Sequence, residues 1–332
     1  MTEAPRSSAL TPVARARLSL EGLSVGDAFG QLVLDYGDWL FAGRGIPRGP
    51  WPWTDDTQMA ISLVEALEAE GTIDPAGLME RFVRRYAAEP LRGYDWIATR
   101  ALRSRATGGA PDGLSWPVQG MEGNGAAMRV APLGAFFAGD VERAAAEALR
   151  SAAASHAEPD CQAGAVAVAV MAALVVHDDE LRGERLLGHV LNHVPPGPTR
   201  VGLEAAAHLA PHDHLRAVVD LGTGLFRASR DTVPFALWCA AHHRHDFSGA
   251  LWEAVSGLGD TDTTCAIAGG IVALSAPEIP AWLRRGREPL PESFRLFHDD
   301  ATNEGPWDPP AVPPRIQRRV GMLEKIEGIG DS

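Results

Sequence analysis

Two short segments of the sequence carry most of the carboxylate and hydroxyl groups that could bind a metal ion. The first is residues 54–57 (Thr-Asp-Asp-Thr), and the second is residues 259–264 (Gly-Asp-Thr-Asp-Thr-Thr). Oxygen ligands without thiolate or imidazole are preferred by hard cations such as Mg²⁺, Mn²⁺ and Ca²⁺. The segments are about 200 residues apart, so only the fold can bring them together. Four carboxylates that meet without cations would repel one another strongly, and a pair of divalent ions would neutralise them.

The same residues also fit a structural interpretation. Asp and Thr are common N-cap residues, so Asp55 and Asp56 could cap one helix while Asp260 and Asp262 cap another. Neither segment has the alternating acids and the closing Glu of an EF-hand calcium loop. A shared site therefore depends on the two segments meeting.

A glycine-rich segment and one histidine offer polar groups of another kind. Residues 123–129 read Gly-Asn-Gly-Ala-Ala-Met-Arg, and such small residues let backbone N–H groups approach a ligand, as in phosphate-binding loops. The Gly-Lys-Ser/Thr ending of a P-loop is absent, and an ordinary turn before a helix has the same appearance. His156, which follows Ser155 and precedes a long apolar run, is either a ligand or an ordinary residue at a helix start.

Two groups of histidines raise the alternative of a transition-metal site. They are residues 212–214 (His-Asp-His) and 242–245 (His-His-Arg-His). A closed zinc site needs ligands held at tetrahedral geometry, whereas histidines on polar loops are usually solvated. The sequence favours the oxygen-ligand site over this alternative.

Composition excludes several classes of protein. The chain has 332 residues, of which 45% are apolar and 22% charged, values typical of globular proteins. This length suits a single domain over residues 1–332. The formal net charge of −13 disfavours nucleic acid as a partner, because a negative field repels phosphate backbones. The three cysteines form no C-x-x-C pair, which predicts no disulfide framework and favours a reducing, cytoplasmic location.

No membrane partner is expected. The longest uncharged apolar run, residues 163–176, is shorter than the ~20 residues that span a bilayer. We interpret it as a buried helix. The N-terminal residues lack the continuous apolar region of a secretory signal.

The pattern of apolar residues predicts an all-α fold, since they recur three and four apart after helix start signals and rarely alternate as in strands. A helix is expected to begin at Thr11-Pro12 and run toward Gly30. Residues 55–56 would begin a second helix that ends at Gly71, and residues 74–75 (Asp-Pro) would begin a third. Further helices are predicted over residues 93–105, 141–154, 163–176 and 315–327, with a loop over residues 107–125.

The C-terminal part is unusually rich in proline, with nine between Pro277 and Pro314. Because proline interrupts helices, a tail from about residue 277 is predicted to wrap over the surface rather than to form a packed helix.

Taken in order, these motifs resemble those of the ADP-ribosylglycohydrolase family, which includes ADP-ribosylarginine hydrolases and the dinitrogen reductase-activating glycohydrolase. The matching elements cover roughly three quarters of the chain. They are residues 22–30 (Gly-x-x-x-Gly-Asp-Ala-x-Gly), 54–57, 92–94 (Arg-Gly-Tyr), 123–134, 155–156 and 259–263. The last of these is the most specific.

The resemblance implies a compact, orthogonally packed helical bundle with two divalent cations, Mg²⁺ or Mn²⁺, at the bottom of an ADP-ribose cleft. The metal ligands that it implies are Thr54, Asp55, Asp56, Asp260, Asp262 and Thr263. The substrate-binding residues that it implies are Gly93, Asp95, Gly123, Asn124, Gly125, Met128 and His156. Asp55, Asp56 or Asp260 would take the proton from the attacking water. By the same resemblance Asp27 has a structural role, and Trp51, Trp53 and Trp116 are candidates for stacking on adenine or for the core.

The implied reaction is hydrolysis of the bond between the anomeric carbon of ADP-ribose and an acceptor atom. Arginine-linked ADP-ribose on a modified protein is the expected substrate, and the protein is expected to be a monomer. One alternative is an O-linked serine or a small ADP-ribose derivative as substrate. Another is a non-catalytic binding or structural member.

One position departs from the family pattern. Members usually carry a Glu eight residues after the Gly of Gly-Asp-Ala, in a flexible loop near the metals, and this chain has Leu34 there. Asp35 is adjacent, and the sequence leaves open whether it replaces that Glu.

Overall fold

The computed structural model describes residues 7–108, 122–297 and 307–327, with side chains up to residue 321. Within these residues the chain forms α-helices and no β-strand, as the sequence predicts. The helices are α1 (Pro12–Phe41), α2 (Asp55–Glu70), α3 (Pro75–Ala88), α4 (Trp96–Ala106), α5 (Gly125–Met128), α6 (Ala131–Phe136), α7 (Val141–Ala153), α8 (Pro159–His177), α9 (Gly183–Leu191), α10 (Pro198–Ala207), α11 (His214–Leu221), α12 (Ser229–His242), α13 (Phe247–Val255), α14 (Thr261–Val272), α15 (Ala281–Gly286) and α16 (Pro314–Glu327).

Several helices begin and end at the signals seen in the sequence. The Thr11 hydroxyl accepts a hydrogen bond from a backbone N–H in the first turn of α1, and the Asp74 carboxylate does the same for α3. Gly71, with φ of +65°, ends α2 in the left-handed conformation that glycine favours. Of the predicted loop over residues 107–125, residues 109–121 lie outside the described part of the chain.

Helix α1 is longer than predicted. It continues past Gly30 to Phe41, with a break in the helical geometry at Tyr36. Gly30 is not a helix stop, because the absence of its side chain serves a close contact with α14.

Helices α1 and α14 pack with their backbones in direct contact along a row of glycines. Gly22, Gly26 and Gly30 recur every four residues and therefore share one face of α1. A Cβ atom at Gly26 would lie 2.0 Å from the carbonyl oxygen of Cys265, and one at Gly30 would lie 2.1 Å from that of Thr261. Only glycine allows this approach, which fixes the position of the first turn of α14.

Asp27, adjacent to Gly26, joins α1 to the first turn of α2. Its carboxylate is buried and accepts four hydrogen bonds of 2.5–3.1 Å, from the backbone N–H and hydroxyl groups of Thr54 and Thr57. Burial raises the pKa of Asp27 to about 6, although the four hydrogen bonds favour its charged form. Neighbouring residues of α1 thus position the N-termini of both α14 and α2.

Helix α8 occupies the core, as predicted for the apolar run. By length and composition it could cross a membrane, but 78% of its apolar window is buried inside the protein. This burial is typical of the central helix of a bundle.

The proline-rich C-terminal part is not only an extended strap, and in this respect the prediction was wrong. It contains α15, which begins immediately after Pro280, a position at which proline is compatible with a helix. The end of α15 is attached to the rest of the protein, since the Trp51 N–H donates to the Gly286 carbonyl at 2.7 Å. Arg287 pairs with Glu21 of α1 at 3.1 Å, and both side chains are buried.

The glycine row predicts that Gly26→Ala destabilises the protein by about 3 kcal/mol or more, because the new methyl group overlaps the Cys265 carbonyl and the helices must separate. Denaturant unfolding measures the change. Gly188→Ala, in α9, is the matched control, since nothing lies within 4 Å of a Cβ atom there, and it should leave stability unchanged or slightly increased. Equal stability of both variants would contradict the close contact.

The role of Asp27 predicts that Asp27→Asn lowers the free energy of unfolding by about 2–4 kcal/mol, because an amide NH₂ would face donor groups that it cannot bind. The measurement is made in chelator, so that metal binding does not contribute. Asp140→Asn is the control, because Asp140 caps α7 through one hydrogen bond and Asn caps helices equally well. If the two variants lose equal stability, Asp27 does not hold α2.

Candidate active site

The first turns of α2 and α14 bring five acid groups into one cluster, in which Asp27, Asp56 and Asp260 are buried and Asp55 and Asp262 are partly buried. Asp55 and Asp56 begin α2, while Asp260 and Asp262 lie at the start of α14, and Asp27 completes the set from α1. The charges of Asp260 and Asp262 help to raise the pKa of Asp56, so the two predicted segments do meet. Helix capping therefore does not account for all of these acids.

The cluster carries an electrostatic cost. Burial, followed by the charge of Asp27, raises the pKa of Asp55 to about 8. Burial and the neighbouring carboxylates also raise the pKa values of Asp56 and Asp262 well above their usual range. Without a cation these groups tend to keep their protons, because adjacent buried carboxylates cannot all be charged.

The donor atoms fit hard divalent cations. Asp56 Oδ1 is buried and has no hydrogen-bond partner, and Asp56 Oδ2 lies 3.3 Å from the Thr54 hydroxyl. Thr263 is buried in the first turn of α14, and its N–H donates to Asp262 at 2.8 Å. Carboxylates and hydroxyls without imidazole or thiolate suit Mg²⁺ or Mn²⁺. In the described part of the chain, no three His, Cys, Asp or Glu side chains form a ready-made metal site, so a cation would also need hydroxyl or water ligands.

Asp260 has two polar side-chain partners outside the first turns of α2 and α14. Its Oδ2 accepts a hydrogen bond from the Asn124 amide at 2.7 Å, and its Oδ1 lies 3.4 Å from Arg227 Nε. The same Asn124 amide donates to the Thr232 hydroxyl at 3.1 Å. Asn124, for which the family resemblance implies a role in substrate binding, thus connects the glycine-rich segment to the acid cluster. Sequence reasoning missed Arg227 and Thr232, because neither belongs to a motif.

The glycine-rich segment and His156, which the family resemblance assigns to substrate binding, lie against each other. A Cβ atom at Gly123 would be 3.0 Å from His156 Nε2, and one at Gly125 would be 3.0 Å from its Cε1. Burial, with a smaller effect of the charge of Arg129, lowers the pKa of His156 to about 3. His156 is therefore neutral near pH 7 and acts through hydrogen bonds rather than through charge.

Arg129 organises this region, a role that sequence reasoning did not assign. It is fully buried and donates to the carbonyls of Gly125 and Ser151 and to the Ser155 hydroxyl, at 2.8–2.9 Å. The Ser155 hydroxyl in turn lies 2.8 Å from His156 Nδ1. Burial lowers the pKa of Arg129 to about 9. The sequence motif did contain a signal for this role, because Arg129 follows Gly125 by four residues, a spacing at which its side chain can donate to the Gly125 carbonyl.

The other residues predicted to bind substrate lie in three different environments. Gly93 borders the acid cluster, because a Cβ atom there would lie 3.5 Å from Thr54 Cβ and 3.7 Å from Asp55 Oδ1. Asp95 is exposed and caps α4, accepting two backbone hydrogen bonds of 2.7 Å, while its charge still raises the pKa of Asp55. Met128 is buried in α5.

The two histidine groups do not form a joint metal site. His212 is exposed, whereas His214 is buried and bonded to Glu253 at 2.7 Å. His242 and His245 each bond a backbone carbonyl oxygen. These contacts account for the side chains without a metal ion.

The tryptophans near the motifs favour the core interpretation. Trp51 packs edge-to-face against Trp282 and Trp307, with ring centroids 6.3 and 5.8 Å apart. The Arg92 guanidinium lies 3.5 Å from the centre of the Trp53 ring. Trp116 lies outside the described residues.

The position of the missing Glu is in a helix here rather than in a loop. Leu34 is half-exposed within α1, and Asp35 accepts a hydrogen bond from Gln31 at 2.9 Å. The carboxylate of Glu122, which precedes the glycine-rich segment, pairs with Arg230. The structure thus gives both acids partners within the protein.

Comparison with known proteins places these features in a family. The family model described as ADP-ribosylglycohydrolase matches residues 8–305. An uncharacterised protein of Archaeoglobus fulgidus is 31% identical over 82% of this chain and 92% of its own length. The ADP-ribosylhydrolase ARH3 of Mus musculus is 28% identical, over 87% of this chain and 88% of that protein.

A bacterial relative and a solved structure agree with this match. The ADP-ribosylarginine hydrolase Tri1 of Serratia proteamaculans is 26% identical, over 77% of this chain and 70% of that protein. A solved structure described as an ADP-ribosylglycohydrolase-related protein complex is 26% identical with a TM-score of 0.52, covering 84% of this chain and 94% of the other. The chain therefore belongs to the ADP-ribosylglycohydrolase family.

Proposed function

We propose that this ADP-ribosylglycohydrolase is a metal-dependent hydrolase that removes ADP-ribose from arginine side chains of modified proteins. The observation that carries the proposal is the largely buried cluster of Asp27, Asp55, Asp56, Asp260 and Asp262, in which Asp56 Oδ1 has no hydrogen-bond partner. Such a concentration of buried acid is costly unless cations neutralise it.

Two ions of Mg²⁺ or Mn²⁺ would be held by the side chains of Thr54, Asp55, Asp56, Asp260, Asp262 and Thr263. When bound, they supply Lewis acidity that orients the ribose hydroxyls and lowers the pKa of a water molecule. The fit rests on the donor chemistry and on the buried, unpaired oxygen of Asp56.

The chain itself holds the substrate and moves the proton. Gly123 and Gly125 let the His156 ring lie directly against the backbone, and neutral His156 can hydrogen-bond to an anionic group of the substrate without adding charge. Asn124 keeps one carboxylate oxygen of Asp260 fixed. As water attacks the anomeric carbon, one of Asp55, Asp56 and Asp260 would accept its proton while the carbon–nitrogen bond breaks, and that proton would then pass to the departing guanidine nitrogen.

Two features support arginine as the linkage. The relative from Serratia proteamaculans is named an ADP-ribosylarginine hydrolase. Asp95 places an exposed carboxylate close enough to Asp55 to influence its pKa, and a carboxylate at this position can pair with a guanidinium leaving group. We also propose that the protein acts in the cytoplasm as a monomer.

The metal centre predicts that Asp56→Asn lowers hydrolysis at least about 100-fold, because an amide cannot replace a charged metal ligand. The same variant should lose Mn²⁺ binding in titration calorimetry while its helical circular dichroism spectrum is unchanged. Chelation should inactivate the natural protein, and Mg²⁺ or Mn²⁺ should restore it better than Zn²⁺.

Asp74→Asn, at the cap of the neighbouring helix α3, is the matched control and should keep full activity. Wild-type Mn²⁺ affinity in Asp56→Asn would remove this residue from the metal centre. Recovery with zinc alone would instead favour the histidine groups.

The substrate is tested with a panel of arginine-, serine- and phosphate-linked ADP-ribose followed by product analysis. We expect the arginine linkage to be hydrolysed fastest, with release of ADP-ribose and unmodified arginine. A preference for another linkage would reject the arginine assignment and keep the hydrolase. No release from any of the three would favour a non-catalytic member.

A further inference from the structure

We propose that Arg227 is the internal countercharge of Asp260 in the metal-free protein, and that a divalent cation displaces its guanidinium. Arg227 would therefore set the affinity and reversibility of metal binding. This inference rests on the metal centre of the proposed function.

The argument begins with the distribution of charge. Among the described residues, the ion pair between Arg227 and Asp260 is the only one that involves any of the five clustered acids. Arg227 Nε lies 3.4 Å from Asp260 Oδ1, while the other oxygen of Asp260 is taken by Asn124. The guanidinium thus lies at the oxygen of Asp260 that Asn124 leaves open to a metal ion.

The loop that carries Arg227 is fixed at its backbone. Arg227 has a φ of +52°, a conformation that residues other than glycine rarely adopt. Its N–H donates to the Gly224 carbonyl at 2.7 Å, and its carbonyl accepts from the Asn124 N–H at 2.9 Å. The Asp231 carboxylate accepts hydrogen bonds from the N–H groups of residues 226 and 228, on either side.

This loop also packs directly on the residues before α14. A Cβ atom at Gly224 would lie 2.6 Å from Asp260 Cβ, and the Asp260 N–H donates to the Thr223 carbonyl at 3.0 Å. The backbone of the loop and Asp260 are therefore held together whether or not the guanidinium pairs with the carboxylate.

The side chain of Arg227 can move away from Asp260 into solvent. It is 62% exposed, and no other hydrogen bond of its guanidinium is formed within the described residues. A fixed backbone with an exposed, singly paired side chain allows the guanidinium to move into solvent at little cost in structure. A divalent cation at Asp260 would repel it and compete for the same oxygen.

Competition of this kind has a thermodynamic consequence. If a cation must displace Arg227, removal of the guanidinium strengthens metal binding, since binding and displacement are linked. A purely structural ion pair would persist in the metal-bound protein, and its removal would leave metal affinity unchanged.

The test is titration of the metal-free full-length protein with Mn²⁺, followed by calorimetry. Arg227→Gln should bind Mn²⁺ about threefold to fivefold more tightly than the natural protein, the range that an exposed ion pair allows. Arg227→Lys, which keeps the charge, should bind with nearly natural affinity. Mn²⁺ should also raise the melting temperature of Arg227→Gln by more than it raises that of the natural protein.

Arg230→Gln is the matched control for the loss of one positive charge, because Arg230 lies three residues along the chain and pairs with Glu122 rather than with the acid cluster. It should change the affinity by less than about twofold. An equal effect of the two Gln substitutions would overturn the inference in favour of a general field effect, and unchanged affinity in Arg227→Gln would overturn it in favour of a structural pair.

A replacement variant and the Mn²⁺ binding of the natural protein distinguish the remaining outcomes. If Arg227→Gln does not fold, Arg227→Asn replaces it, since Asn tolerates a positive φ better. If the natural protein binds no Mn²⁺, the metal centre of the proposed function fails and the inference fails with it, whereas natural binding without tightening refutes only the role of Arg227.

Discussion

The buried carboxylate of Asp27 is the interaction on which the site depends. It lies one residue after Gly26, whose missing side chain allows α1 to touch α14. The same turn of α1 therefore holds α14 by close contact and holds α2 by four hydrogen bonds to Thr54 and Thr57. Because the acids lie in the first turns of α2 and α14, their mutual position follows from these two adjacent residues of α1.

This arrangement gathers acid groups in one place at a cost to the stability of the fold. Acids brought together in a buried region raise one another's pKa values, as seen for Asp55, Asp56 and Asp262. Among the described residues only one ion pair reaches this acid cluster, and it joins Arg227, on an exposed loop, to Asp260. In the proposed function the remaining negative charge attracts divalent cations, and the close contact along the glycine row holds α1 against α14 despite the repulsion among the acids.

The acid cluster could be predicted from the residue types of short sequence segments. Features that depend on contacts between distant parts of the chain could not be predicted in this way. The groups of carboxylates and hydroxyls at residues 54–57 and 259–264, the helix starts at Thr11 and Asp74, and the buried α8 can all be recognised from neighbouring residues in the sequence. The continuation of α1 past Gly30 to Phe41 was not predicted, because the helix that Gly30 contacts is more than 200 residues away in sequence. The partnership of Arg227 with Asp260 has no sequence signal, since it depends on a loop conformation with positive φ.

The most direct test of this account is a crystal structure of the protein with Mn²⁺ and ADP-ribose, with diffraction recorded at the manganese absorption edge. The account predicts two anomalous peaks enclosed by the carboxylates of Asp55, Asp56, Asp260 and Asp262, with the ribose beside them and the phosphates toward Gly123 and His156. The absence of anomalous density among these carboxylates at saturating Mn²⁺, or peaks only at the buried pair of His214 and Glu253, would contradict it.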